Sequence, residues 1–172
     1  MAMKQLYFIR HGESEANVAR VFAGLAETPL TAKGKQQAKL AGQQAAELGI
    51  DHIIASPISR AYETAKIIAK EIGYPEDKIE TNSLLVERDY GSLQGKPWDL
   101  DVDLDGIVDV ETTDSVMNRA VLTYEHLQGL SYETILVVSH GTFGLALKAV
   151  VDSAPFFRDT DGIRNAEVTR FV

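Results

Sequence analysis

Tyr7-Phe8-Ile9-Arg10-His11-Gly12-Glu13 near the start of the chain and Leu136-Val137-Val138-Ser139-His140-Gly141-Thr142 near its end share one grammar. Each opens as an apolar β-branched, aliphatic or aromatic run that reads as a buried strand, and each breaks at a His-Gly step where a strand hands over to a loop or helix. In open α/β sheets ligands bind beyond the carboxyl ends of the strands. Two such ends would therefore place two imidazoles around one crevice.

Outward from these runs the chain alternates between strand and helix patterns. Strands are expected at 4–9, 51–55, 135–139 and 167–172, with a weaker one near 79–82, and helices at 31–48, 57–72, 113–129 and 142–151. The first helix has Thr31 as N-cap, an apolar stripe of Ala38, Ala41, Ala45 and Leu48, and Gly49 as a stop. The second has Ser56 as a capping residue, Pro57 in the first turn, Ile58, Ala61, Ala65, Ile68 and Ile72 at helical spacing, and Gly73 at its end. This order implies an α/β fold: a three-layer α/β/α sandwich around a mostly parallel central sheet, joined by right-handed crossovers. A length of 172 residues, 45% hydrophobic, suits one domain over 1–172, and no linker or internal repeat divides it.

Composition removes several function classes. No apolar run reaches the length of a signal-peptide core or a membrane span, so a cytoplasmic protein without a membrane partner is expected. The chain has no cysteine, which excludes disulfides and thiolate catalysis. With 17 Lys+Arg against 25 Asp+Glu, the net charge of -8 argues against nonspecific binding to nucleic acid or an anionic membrane. The acidity is concentrated, because 99–114 holds seven carboxylates and no Lys or Arg, whereas Arg10, Arg20 and Arg60 lie beside the motif segments.

Taken singly, the chemical residues have bland readings as well as functional ones. Arg60, in Ser56-Pro57-Ile58-Ser59-Arg60-Ala61, follows a strand and enters the next helix near the same sheet edge, yet exposed arginines are common. Glu87, in the loop-like run Leu85 to Gly95, reads equally as a solvated carboxylate. His140 alone reads as a core histidine, and His52 and His126 as structural or exposed.

In order, however, the segments resemble the histidine phosphatase superfamily, the group that includes cofactor-dependent phosphoglycerate mutases. The resemblance runs from Leu6 through Asn17, Arg20 to Gly24, Pro29 to Gly34, Ala55 to Ala65, Glu87 to Gly95, Val137 to Gly141 and Asn165-Ala166, nearly the whole chain. It implies His11 as nucleophile, Arg10, Arg60 and His140 as the phosphate pocket, and Glu87 as proton donor to the leaving group. Asn17, Ser14, Gly24 and Thr142 stand at positions expected to touch the phosphate. Neither a metal nor another cofactor is implied. Phosphoryl transfer is mainly positioning and charge stabilisation, which two guanidiniums can supply.

The departures bear on the reaction. Glu87-Arg88-Asp89-Tyr90-Gly91-Ser92-Leu93-Gln94-Gly95 is close to the mutase form of this loop. Mutases of the group carry a longer, basic insertion after it, and here a short acidic lid at about 96–116 has no Lys or Arg between Lys96 and Arg119. A doubly anionic intermediate would be repelled there, which favours a metal-independent phosphatase over a mutase. Within the lid, Asp101-Val102-Asp103-Leu104-Asp105-Gly106 imitates the first half of a calcium loop, but the twelfth position is Thr112, so a solvated acidic loop is preferred to a calcium-responsive module. The expected partner is a small phosphorylated substrate or a phosphoprotein, and the expected assembly a monomer or homodimer.

Overall fold

The computed structural model describes residues 3–157 and 162–172. Among the described residues five strands form one sheet: β1 (Gln5–Arg10), β2 (His52–Ala55), β3 (Glu80–Thr81), β4 (Thr134–Ser139) and β5 (Val168–Arg170), in the spatial order β3-β2-β4-β1-β5. The first four run parallel, and β5 pairs antiparallel with β1. The helices are α1 (Glu15–Ala19), α2 (Ala32–Ala45), α3 (Ser59–Ile72), α4 (Thr113–Gly129) and α5 (Gly141–Val151).

The central strands β1, β2 and β4 are apolar along their middles because both faces are covered, and their side chains alternate between two cores. Leu6, Phe8, Ile54, Ile135 and Val137 meet Val116, Ala120 and Leu127 of α4 and Phe143, Ala146 and Leu147 of α5. Tyr7, Ile9, Ile53, Ala55, Leu136 and Val138 meet Ala41 of α2 and Ala65, Ile68 and Ala69 of α3 on the other face. The result is the expected three-layer sandwich. Small residues bring α2 and α3 close together: a Cβ on Gly42 would lie 2.7 Å from Glu71 Cβ.

Thr31 caps α2 as expected, its Oγ1 accepting from Gly34 N at 2.9 Å. The start of α3 differs from the sequence expectation. Its N-cap is Ile58, which has no side-chain cap, and Ser56 and Pro57 precede the helix. Ser56 instead prolongs the strand ladder, its N donating to Val138 O at 3.0 Å, and its hydroxyl bonds to His140 at 2.8 Å. The cap comes from a distant residue, Glu27, whose carboxylate accepts from Ser59 N at 3.0 Å and also from Ser59 Oγ. Helix α1 was not expected. It is held by a reciprocal capping box between Ser14 and Asn17 and is too short to show a periodic pattern.

The acidic segment is less solvated than its composition suggests. Asp105 Oδ1 accepts from the buried Arg88 at 2.7 Å and from Thr113 N at 2.8 Å, while Asp109 accepts from Ser92 N at 2.8 Å. Arg119 grips Glu111 through two N–H bonds of 2.7 and 2.8 Å. Arg88, Ser92 and Arg119 lie outside the run itself, so counting charges along it misses them. Asp103 and Asp105 spend carboxylate oxygens within the loop, and no group of three or more His, Asp or Glu is placed to hold a metal among the described residues.

Candidate active site

The carboxyl ends of β1, β4 and β2 lie side by side. Arg10 is in register with Ser139, and His11 N donates to Ser139 O at 2.9 Å. The two His-Gly steps of the sequence are thereby neighbours, with the rings of His11 and His140 5.3 Å apart and edge to face.

The loop after β1 depends on a close backbone approach. A Cβ on Gly12 would lie 2.3 Å from Gly34 O, and one on Gly34 would lie 2.0 Å from Glu13 O. Gly12 N also donates to Thr64 Oγ1 at 3.1 Å, which seats the loop on α3. The Nδ1 of His11 lies 2.7 Å from Gly12 O. A carbonyl only accepts, so Nδ1 carries the proton and Nε2 keeps the lone pair. Burial, then Arg60 and Arg10 nearby, hold the His11 imidazole well below its usual value of 6.5, which keeps it neutral.

Arg60 is almost fully buried and triply held. Its Nε donates to His11 Nε2 at 3.2 Å, and its two terminal nitrogens donate to Ala26 O and Gly24 O, each at 2.8 Å. Gly24 adopts a φ of 52°, and a Cβ there would meet Gln94 Oε1 at 2.8 Å. Arg10 donates one terminal nitrogen to Ile163 O at 2.9 Å and packs over Gly141, where a Cβ would lie 3.3 Å from its Cζ. Burial lowers both guanidinium values from their usual position, yet each stays charged at neutral pH.

His140 is also pushed well below 6.5, first by burial and then by Arg60, His11 and Arg10. It therefore acts as a neutral ring. When the Ser56 hydroxyl donates to Nε2, the ring proton sits on Nδ1. Both His140 Nδ1 and Arg10 Nε are buried with no hydrogen-bond partner among the described residues. Buried donors without acceptors are costly, and an anion brought against them removes that cost.

Glu87 faces this group from the turn after β3. Its Oε1 accepts from Arg88 N at 2.9 Å and Phe143 N at 3.0 Å, and its Oε2 from Thr142 N at 3.1 Å, so it docks on the N-terminus of α5. A carboxylate offers about four lone-pair sites, which leaves the open one on Oε2. Sequence reasoning missed the residue that sets this turn. Arg119 of α4 donates to Leu84 O at 2.7 Å, Val86 O at 3.0 Å and Glu87 O at 3.4 Å, and its guanidinium lies 5.0 Å from the ring centroid of Phe143.

A cleft of about 560 Å³ opens over these groups, with Arg10, His11, Arg60 and Glu87 on its lining together with Asn17, Gly24 and Thr142. His140 is fully buried beside His11 and does not reach the cleft surface. Ser14 is also fully buried, as the cap of α1. Asn165 Nδ2 donates to His11 O at 2.9 Å and Asn17 Oδ1 at 3.2 Å, tying the β1 loop to α1. His52 and His126 lie away from the cleft, sharing the Glu80 carboxylate at 3.0 and 3.2 Å.

The sequence profile of the histidine phosphatase superfamily (branch 1) matches residues 6–172. The chain belongs to that superfamily. A curated relative, "Probable phosphoglycerate mutase GpmB" of Salmonella arizonae, is 44% identical over 97 residues, which make up 56% of this chain and 44% of the relative. The match thus spans less than half of that protein's length. Among solved structures, the open reading frame Rv3214 of Mycobacterium tuberculosis is 30% identical, with a TM-score of 0.82 and coverage of 97% of this chain and 90% of that one. The mycobacterial glucosyl-3-phosphoglycerate phosphatase Rv2419c is 23% identical, with a TM-score of 0.81 over 97% of this chain and 92% of that one, and shares the fold. The curated relative thus carries a mutase name and this structural neighbour a phosphatase name.

Proposed function

We propose that this chain hydrolyses phosphate monoesters through a phosphohistidine on His11. The observation that carries the reading is a neutral imidazole whose Nε2 lone pair is set beside Arg60, in a cleft that Arg10 also lines with a buried Nε lacking a partner among the described residues. In the first displacement His11 Nε2 forms the N–P bond while the bond from phosphorus to the leaving oxygen breaks, and Glu87 gives that oxygen a proton from Oε2. Arg10 and Arg60 offset the charge that spreads over the equatorial oxygens. In the second displacement Glu87 takes a proton from water, the water oxygen attacks phosphorus, and the N–P bond breaks to release inorganic phosphate.

His11→Ala should lower phosphate release from a phosphate ester by a factor of at least about 10³. Because the charge stabilisation comes from Arg10 and Arg60, EDTA should leave turnover unchanged. Chelator-sensitive turnover, or a His11→Ala enzyme as active as the parent, overturns the reading. The GpmB relative supports a mutase as the second reading. Isomerisation of 3-phosphoglycerate with added bisphosphoglycerate, faster than phosphate release, would select it.

A further inference from the structure

Above the phosphate floor the cleft wall is apolar and rigidly built. Residues 20–24 and 95–98 run past each other as a two-stranded strap. Phe22 N donates to Lys96 O and Gly95 N to Phe22 O, each at 2.9 Å, Trp98 N donates to Arg20 O at 3.2 Å, and Val21 bridges Pro97. The strap brings Val21, Phe22 and Trp98 to the cleft, which Leu145 and Ile163 also line. The Phe22 ring is set against Tyr90 at 4.5 Å, and the Arg20 guanidinium lies 5.9 Å from the centroid of the Trp98 ring. Trp98 nonetheless keeps 39% of its surface exposed.

The charge pattern points the same way. Among the described residues lining the cleft the cationic side chains are Arg10 and Arg60, and both belong to the floor. The wall runs on from Trp98 into the acidic segment. Arg20 and Lys96 stand on the strap outside the cleft lining, so a second anionic group set against the lining itself would lose water without a cation there, whereas a planar apolar group would cover exposed Trp98 surface.

We infer that the preferred substrate is a monophosphate ester of an uncharged alcohol carrying a planar apolar ring, with the ring seated against Trp98 and Phe22. The inference rests on the phosphomonoesterase reading of this cleft. Trp98 then selects the leaving group, while the floor performs the same chemistry on any ester that reaches it.

The test compares 2-phenylethyl phosphate with ethyl phosphate, two esters of primary alcohols that differ in the ring, and with 3-phosphoglycerate. Inorganic phosphate release is measured for the wild type, Trp98→Ala, Trp98→Leu and Trp98→Phe. The kcat/KM ratio of the phenylethyl to the ethyl ester should be about tenfold or more in the wild type. It should fall toward one in Trp98→Ala and Trp98→Leu, mainly through KM, and be largely kept in Trp98→Phe. The leucine variant retains apolar volume, so the comparison survives if the alanine variant does not fold. A wild-type ratio near one, a ratio unchanged by losing the ring, or 3-phosphoglycerate as the best substrate would overturn the inference while leaving the phosphatase reading in place. No His11-dependent phosphate release from any of the three would overturn both.

Discussion

At the floor of the cleft Arg10, His11, Arg60 and Glu87 issue from the end of β1, the start of α3 and the turn after β3, and are tied to backbone carbonyls and amides. Around the rim, Trp98, Leu100 and Val102 project apolar surface into water from a segment held at a few points by Arg88, Arg119 and Ser92. A buried network tolerates little displacement, since every donor moved leaves an acceptor unsatisfied. The rim can change its side chains without disturbing that network. On the proposed reading the difference separates two questions in one cleft: the floor would decide what bond is broken, and the rim which molecule presents it.

The comparison can be broken most forcefully at Glu87. Glu87→Gln keeps the shape but cannot shuttle a proton, so kcat for alkyl esters should fall by about 10² to 10⁴. Esters with strongly acidic leaving groups, such as p-nitrophenyl phosphate, should lose far less. An equal loss for both ester types would remove the proton from the role assigned to this residue.

The pH dependence of stability tests the floor without substrate. His11 and His140 have folded values well below 6.5, so the unfolded chain binds more protons than the folded one as pH drops beneath 6.5. Stability should be fully present above that value and decline toward acid pH, with a limiting slope from two protons of about 2.7 kcal/mol per pH unit. Urea unfolding between pH 7.5 and 5 measures the slope, and His11→Ala should halve its histidine component. A flat profile would mean that the rings are not held neutral.

Arg119→Ala should act on catalysis through Glu87, although Arg119 lines no part of the cleft that contains His11. Loss of its bonds to the 84–87 turn should lower kcat for alkyl esters by about tenfold to a hundredfold with little change in KM, and spare activated esters. A uniform fall across leaving groups would instead mark simple destabilisation. The smallest effect is expected for Ser56→Ala, which frees one nitrogen of His140. About a tenfold rise in KM for phosphate esters, with Ser56→Thr restoring much of it, would mark Ser56 as a positioning residue.

Much of this was legible in the sequence. Long apolar strands and helices with clear stripes stand at or near the expected positions, and His11 and His140 meet at adjacent strand ends with Arg10, Arg60 and Glu87 close by. What escaped are contacts set by side-chain direction. Ser56 reads as a helix cap because serine before proline commonly is one, yet its hydroxyl turns to an adjacent strand end. Arg119 sits in the middle of a helix with nothing in its neighbours to show that it reaches carbonyls more than thirty residues away. The acidic run reads as solvated because its cations, Arg88 and Arg119, are contributed from outside it.

The Gly24 to Glu27 stretch gives Arg60 a further property. Two of its carbonyls grip the guanidinium while the Glu27 carboxylate caps the helix that bears the arginine, so the side chain is enclosed by a ring of contacts closed during folding. A free arginine surrenders about 2 kcal/mol of rotamer entropy when it is immobilised. Here that freedom is lost before any ligand arrives. Phosphate capture by this arginine should therefore proceed without the ordering penalty that a mobile surface arginine would face.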